Sequence, residues 1–450
     1  MKGIFEEKLV RLAKECTVPL YAVGGCVRDY LAGLNAEKRD IDLCAPLSAE
    51  QFVAAAKRCG FAVRAVYKNT GTVKLSNDGS EDYEFTSFRS DKYVRGVHTP
   101  AEIFFTTDIL ADAKRRDFTA NAVYYDIAAD RFVDPLGGIE DIKAKRLKTV
   151  DSPEKVFGED GLRLMRLARQ AGQTGFLPDG ACLEGATKNA ALIRDISVER
   201  IYAELNAILH ADEKYSNPRG HYEGLKVLEQ TGVLREILPE LALGKDMAQR
   251  KDFHDHDVLE HSLRAVLYAQ PSVRWAALLH DVGKPFCTLR DGNAHAHPEE
   301  GERIAGEILA RLKFPKTAEK RVRELVKWHM YDFNCQTREN KLRRFFVRNA
   351  ALLEELLALK QADYSACKDD LAPCPTAIRW RELLQKMKAE GAPMSLKSLK
   401  IKGNELIDAG VEPARVGEVL NALLLHTAIN PADNEKQKLL RLARGFLRKK

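Results

Sequence analysis

The stretch from Tyr21 to Pro46, YAVGGCVRDYLAGLNAEKRDIDLCAP, places two adjacent glycines ahead of two aspartates separated by one residue. Alternate residues of a strand point to one side, so Asp40 and Asp42 project together while Ile41 turns into the core. Carboxylates held that close repel each other unless a cation sits between them. Oxygen-only ligation by such a pair suits Mg²⁺, which keeps some of its waters and accepts phosphate oxygens. The Gly24-Gly25 turn lets the backbone approach a ligand closely, and its free N–H groups can hold an anion. Arg28 adds a fork-shaped donor for phosphate. The chemistry on offer is the handling of a metal-bound phosphate.

The surrounding elements must aim these groups. IFEEKLVRLAKEC predicts an amphipathic helix, YAVGG a short strand entering the turn, and DIDLCAP a strand ended by Pro46. AEQFVAAAKRCG predicts a helix stopped by Gly60, and further strands are expected at FAVRAVY, TVKLS, DYEFTSF and NAVYYDI. After DSPEKVF the pattern turns almost wholly helical; Asp151 or Ser152 can cap, and Pro153 suits a first helical turn. The expected class is α+β, a mixed-sheet head with helices followed by all-α segments. The divisions fall at 1–150 (head), 151–245 (neck), 246–370 (body) and 371–450 (tail).

A length of 450 residues, with 45% hydrophobic and 30% charged, fits a globular protein of two to four domains. No run of about 18 apolar residues occurs and no export signal is read at the amino end, so a cytoplasmic protein without a membrane partner is expected. Nine scattered cysteines, none in a Cys-x-x-Cys pair, read as reduced side chains rather than disulfides or zinc ligands. The net charge of +6 permits a polyanionic partner. The basic end KQKLLRLARGFLRKK, with Leu439, Leu440, Leu442, Ala443 and Phe446 at helical spacing, is either a solvated helix or a phosphate-backbone contact.

GGCVRD together with RDIDL resembles the active-site signature of the class II tRNA nucleotidyltransferases, the CCA-adding branch of the polymerase beta superfamily. RRDFTANAV (115–123), DPLGGIEDI (134–142), GEDGLRLMRLARQA (158–171) and SVERIYAEL (197–205) are similar to that family's next motifs, in order. The resemblance implies a polymerase-beta-like head followed by neck, body and tail. It implies transfer of CMP and then AMP from CTP and ATP onto the 3′ hydroxyl of tRNA by a two-metal phosphoryl transfer. Asp40 and Asp42 would then be Mg²⁺ ligands, with Glu84 as the third catalytic carboxylate. Gly24, Gly25, Arg28, Arg115, Arg116, Asp117 and Asn121 would meet the nucleotide. Asp160 and Arg163 would choose the base, Glu159 would brace Arg163, and Arg166 and Arg169 would continue the stripe.

Residues three apart share a helix face, so Asp160 and Arg163 could offer one acceptor and one donor edge to a base. The carboxylate suits the exocyclic amino group of cytosine or adenine and rejects uracil and guanine, for ~1–3 kcal/mol per bidentate contact. One segment departs from the family: in SFRSDKYVRGVHTPAEIFF, Arg95 stands where an acidic residue is usual, with Asp91 and Arg95 as stand-ins. That loop is where CC-adding and CCA-adding members of the family differ.

His261, His280, Asp281 and Asp363 fall in the order of an HD-type phosphohydrolase site, a set suited to Mn, Ni, Co or Fe. His297 and His329 could complete a second metal position. The tail resembles that of long bacterial members and would hold the outside of the tRNA by backbone shape. Two rivals stand beside the CCA-adding reading. One is a CC-adding, A-adding or poly(A) relative; the other is an HD metal-dependent phosphohydrolase with an RNA-binding head.

Overall fold

The computed structural model describes Met1 and residues 5–34, 40–76, 82–92 and 101–448. Residues 1–242 with 311–314 form one compact unit, and 243–310 with 315–450 form a second.

The first unit is built on a seven-stranded sheet in the order β3-β4-β5-β2-β1-β8-β9. The strands are β1 (Tyr21–Val23), β2 (Ile41–Ala45), β3 (Ala62–Tyr67), β4 (Thr72–Ser76), β5 (Asp82–Ser87), β8 (Tyr124–Asp126) and β9 (Arg131–Val133). Within this sheet, among the described residues, only the β2–β5 pair is parallel. In β2, Ile41 and Leu43 are buried while Asp42 opens outward. The register sets Asp42 opposite Val23 on one side and opposite Glu84 on the other. Strands β6 (Arg89–Lys92) and β7 (Glu102–Phe105) make a separate antiparallel ribbon. Arg95 lies outside the described residues.

Helices α1 (Glu7–Glu15), α2 (Gly25–Ala32), α3 (Ala49–Arg58), α4 (Ile109–Lys114) and α5 (Gly138–Lys143) accompany the sheet. Ser48 starts α3 with a capping box to Gln51, and Phe52 on its buried face stacks on Phe85 with ring centroids 3.7 Å apart. The sequence left two caps open for α6 (Pro153–Glu159); Ser152 accepts from the Lys155 N–H, while Asp151 forms an ion pair with the Lys155 side chain. In α7 (Leu162–Thr174), Leu164, Met165, Leu167, Ala168 and Ala171 are buried, and the arginines fall on another face. Gly172 meets Gly220, the first residue of the helix Gly220–Gln230, so closely that a Cβ would stand 2.3 Å from the Gly220 carbonyl oxygen.

The structure corrects two local expectations. Gly25 is the first residue of α2 rather than part of an open turn, because Gly24 alone supplies the positive φ of 78°. Asp160 is not on the helix of Arg163: its extended backbone links α6 to α7.

The second unit is helical among the described residues. Helix Val258–Tyr268 packs along Leu353–Lys368, and a stacked pair, Tyr331 and Phe345 at 3.9 Å, abuts the fully buried Trp380. Among the described residues no helix is long and apolar enough to cross a membrane.

Candidate functional site

A cleft of about 380 Å³ in the first unit gathers residues that lie far apart in sequence. Asp40 and Asp42 stand at one side, Arg115, Arg116 and Arg166 across from them, and Asp160 and Arg163 along the α6–α7 link. Gly24 permits this: a Cβ there would lie 3.1 Å from Asp42 Oδ2, so glycine lets the start of α2 approach the carboxylate. Among the described residues, neither the Asp40 nor the Asp42 carboxylate has a hydrogen-bond or ion-pair partner. Burial of its surroundings pushes the Asp42 carboxyl up to about 6; Glu84 and Asp40 add to the rise, against the pull of Arg116 and Arg166. Crowded carboxylates without a direct ion-pair partner are what a divalent cation would relieve, so the donor set fits one.

Glu84 stands beside Asp42 on β5, but its carboxylate pairs with Lys74 at 3.3 Å and does not line the cleft. Both partners are half exposed, so the pair is a weak one.

The arginines are anchored from below. Asp112, fully buried on α4, accepts from Arg115 Nε at 2.8 Å, Arg116 at 2.9 Å and the Tyr124 hydroxyl at 2.7 Å. Burial alone would raise its carboxyl, yet Arg116, Arg115 and Tyr124 hold it at about 2. Asp117 is likewise turned inward. It accepts from Arg166, from Asn121 Nδ2 at 2.9 Å and from the Phe118 N–H at 2.8 Å. Burial opposes the charge, but Arg166 and these hydrogen bonds keep the carboxyl far below the usual range.

Arg28 lines the cleft, but its guanidinium is engaged within the protein. Its five N–H groups are taken by Asp29, Asn121, Gln170 and the hydroxyl of Tyr215. The fork that sequence aimed at a phosphate ties α2 to residues 93, 142 and 187 positions away instead. Arg163 donates to Glu159 at 3.1 Å, to the Val156 carbonyl at 3.0 Å and to the Arg115 carbonyl at 2.7 Å. Asp160 accepts from the Leu162 N–H at 2.9 Å through Oδ1. Arg169 reaches Glu204 at 2.6 Å and Gln173 at 3.2 Å. Asp91 pairs with Arg89 in the β6–β7 ribbon.

The second unit brings all six sequence-predicted ligands to one buried point. Asp281 is central: its Oδ2 lies 3.4 Å from His261 and 3.2 Å from His280, its Oδ1 3.3 Å from His297 and 3.6 Å from His329. Asp363 closes the first pair at 3.1 and 3.5 Å. Nε2 atoms face each other at 3.1 Å in both histidine pairs, so a proton or a metal must separate their lone pairs. Against burial, Asp281 and Asp363 raise the His280 imidazole to about 10, the proton standing where a metal fits. Lys284 also reaches Asp281, at 2.6 Å.

Comparison with known proteins finds domain matches in both units. Residues 20–148 match the Poly A polymerase head domain, 175–243 the probable RNA and SrmB-binding site of polymerase A, and 258–366 the HD domain. An A-adding tRNA nucleotidyltransferase of Deinococcus radiodurans is 31% identical over 451 residues, covering 95% of this chain and 94% of the relative. The chain belongs to the tRNA nucleotidyltransferase family. A CCA-adding enzyme of Geobacillus stearothermophilus is 32% identical over 292 residues, covering 64% of this chain and 66% of its own length. The fold matches that of the Bacillus stearothermophilus CCA-adding enzyme solved with CTP, at a TM-score of 0.68 and 23% identity, covering 100% of this chain and 98% of that one. The nucleotidyltransferase head and the HD domain both imply dependence on divalent metal.

Sequence reasoning missed several residues that line this nucleotidyltransferase cleft or support it from beneath. Asp112 precedes Arg115 and Arg116 by three and four positions, a helical spacing that could have exposed it. Gln170 lies seven residues, about two turns, beyond Arg163 on α7. Tyr215 and Asp29 carry no spacing signal; only the fold joins them.

Proposed function

We propose that the chain completes the 3′ end of tRNA, adding C, C and A from CTP and ATP with protein side chains in place of a nucleic-acid template. The observation that supports this most directly is the cleft itself. It opposes two unpartnered carboxylates to three arginines, beside an aspartate–arginine edge suited to a base. The named activities of the relatives agree.

In this reading Asp40 and Asp42 hold Mg²⁺, with Glu84 close enough to tune their charge. Bound there, the ion supplies polarisation of the attacking 3′ hydroxyl and neutralisation of the triphosphate. Arg115, Arg116 and Arg166 line the triphosphate path, set in place by Asp112 and Asp117. Such fixed charges cost no reorganisation as the phosphoryl group moves. Asp160 accepts from the exocyclic amino group that cytosine and adenine share. Arg163 donates to a ring acceptor from a guanidinium already braced by Glu159. Arg28, Asn121 and Gln170 act as positioning residues. Residues 1–150 then serve as catalytic head, 151–245 as neck, 246–370 as body and 371–450 as a basic tail for tRNA, in the cytoplasm.

A second reading is addition of the terminal A alone. The Deinococcus relative, matched over 94% of its length, carries that name, and the chain has Arg95 where an acidic residue is usual. Incubating tRNAs that end before and after CC with CTP and ATP separately decides between them. CTP incorporation on the shorter tRNA supports full CCA addition. ATP incorporation only on the CC-ended tRNA supports the second reading. No incorporation in either case refutes both.

In the body, His261, His280, Asp281 and Asp363 would hold a transition metal such as Mn, Ni, Co or Fe, with His297 and His329 at a second position. Release of phosphate from a phosphodiester by the metal-loaded chain, abolished by Asp281→Ala, tests whether that centre hydrolyses.

A further inference from the structure

The histidines around Asp281 do not all have the same outer contact. In His280, His297 and His329, Nδ1 meets a main-chain carbonyl, of Ala277, Ala294 and Val326, at 2.7, 2.7 and 2.6 Å. Those contacts fix the tautomer that turns Nε2 to the centre. His261 is equally buried, yet its Nδ1 has no hydrogen-bond partner.

What stands on that side is another imidazole and a thiol. The His254 ring lies 4.8 Å from the His261 ring, centroid to centroid, at 87°, and its own Nδ1 is buried and also unpartnered. Cys367, one turn beyond Asp363 on the helix Leu353–Lys368, brings its sulfur to the same place. One ligand atom from each of the three residues lies within 4.8 Å of the others. Buried polar atoms left without partners in a native fold call for an ion or a water. Two imidazole nitrogens and a sulfur form a donor set for a metal rather than for water alone.

We propose that His254, His261 and Cys367 form a further metal position, beside the Asp281 cluster, that takes a borderline-soft divalent ion of the Zn²⁺ or Co²⁺ class. Oxygen-seeking Mg²⁺ has no ligands here. Three protein ligands leave a fourth tetrahedral position for water. A neutral imidazole has one lone-pair nitrogen. An ion bound at Nδ1 of His261 therefore leaves Nε2–H to donate to Asp363, 3.1 Å away. That tautomer cannot ligate at the Asp281 cluster, so the two positions compete for His261. The proposal stands on these side chains and does not require the cluster to hydrolyse anything.

Cobalt tests it, because thiolate ligation gives Co²⁺ a near-ultraviolet charge-transfer band that nitrogen and oxygen ligands do not. The metal-free full chain titrated with Co²⁺ should show that band. Cys367→Ser should abolish it, and His254→Ala, which removes a ligand, should weaken Co²⁺ binding at this position by at least the ~10–100-fold that loss of a ligand's supporting group costs. His297→Ala, which touches none of the three, should retain the band. No band in the native chain, or one that survives Cys367→Ser, overturns the proposal. Should Cys367→Ser not fold, alkylation of Cys367 in the native chain, mapped by peptide mass spectrometry, replaces it. Zn²⁺ should slow the labelling at least tenfold, and equal rates with and without Zn²⁺ overturn the assignment.

Discussion

Asp112→Asn removes one buried charge while keeping the side chain's shape, and it separates the support of the cleft from the cleft itself. In the native chain the carboxylate sits at about 2 in the fold. Against an unfolded value of ~3.9, that difference is worth ~2–3 kcal/mol of stability. The same loss viewed from the arginines, which are left beside an amide, is bounded by the ~3–5 kcal/mol that breaking a buried pair on one side costs. Unfolding of the first unit should therefore become easier by ~2–5 kcal/mol at pH 7. The sign with pH follows from the depressed value. The contribution is fully present above the unfolded value and is lost as pH falls through about 2. The gap between native and variant should stay flat above pH ~5 and narrow below pH ~4.

The three tryptophans, Trp275, Trp328 and Trp380, all belong to the second unit, so their fluorescence is the wrong probe. Hydrogen exchange at the amides of α4 and β8, read between pH 3 and 7, reports on the first unit. In nucleotide incorporation, kcat/KM for ATP and CTP should fall ~10–10²-fold, because two arginines lose the charge-assisted bonds that aim them. A stability gap that does not change with pH, or a variant with native nucleotide kinetics, would refute the idea that this carboxylate sets the arginines.

Asp42→Ala should lower nucleotide addition by ~10²–10³ or more, whereas Asp281→Ala should leave it intact; incorporation of labelled nucleotide into tRNA reads both, and equal losses contradict the separation of sites. Asp160→Ala should relax discrimination against UTP and GTP by ~1–3 kcal/mol while changing triphosphate affinity less, a comparison of kcat/KM across four nucleotides; uniform losses would make the residue structural. Gly24→Ala should cost ~1–3 kcal/mol through its positive φ and should weaken Mg²⁺ activation more than tRNA binding, because the new Cβ would stand 3.1 Å from Asp42 Oδ2. Equal Mg²⁺ requirements in the two proteins would show that the close approach is incidental.

What sequence made legible was whatever depends on short spacing. Period-two alternation placed β2 and the direction of Asp42, and Pro153 with Ser152 marked the start of α6. The six body ligands were read from motif order, and the structure brings them to one point because Val258–Tyr268 and Leu353–Lys368 lie side by side. What escaped was long-range hydrogen bonding. Arg28 looks the same in sequence whether its guanidinium meets a phosphate or Tyr215, 187 residues on. The Asp160–Arg163 pair misled more quietly: their spacing of three implied a shared helix, but Asp160 is extended, accepts the Arg163 N–H at its carbonyl at 3.1 Å, and lines the cleft from the link before α7.

The arrangement of charge in the cleft carries its own logic. Arg115, Arg116, Arg163 and Arg166 all donate to acceptors of the protein, while the Asp40 and Asp42 carboxylates, among the described residues, have no partner. A cation on a flexible stem wanders unless tethered, and a tethered one can stabilise developing negative charge without first moving. A carboxylate meant for a metal must instead stay unpaired, because an ion pair within the protein would have to break before the metal could enter. The same division explains why Asp112 and Asp117 are buried and Asp42 is exposed. Acidic residues of one type have been sorted by burial into those that hold arginines and those that wait for an ion. Pairing Asp42 with a new arginine, by Glu84→Arg at the position directly opposite it for instance, would bring the two groups into conflict and should raise the Mg²⁺ needed for half-maximal addition.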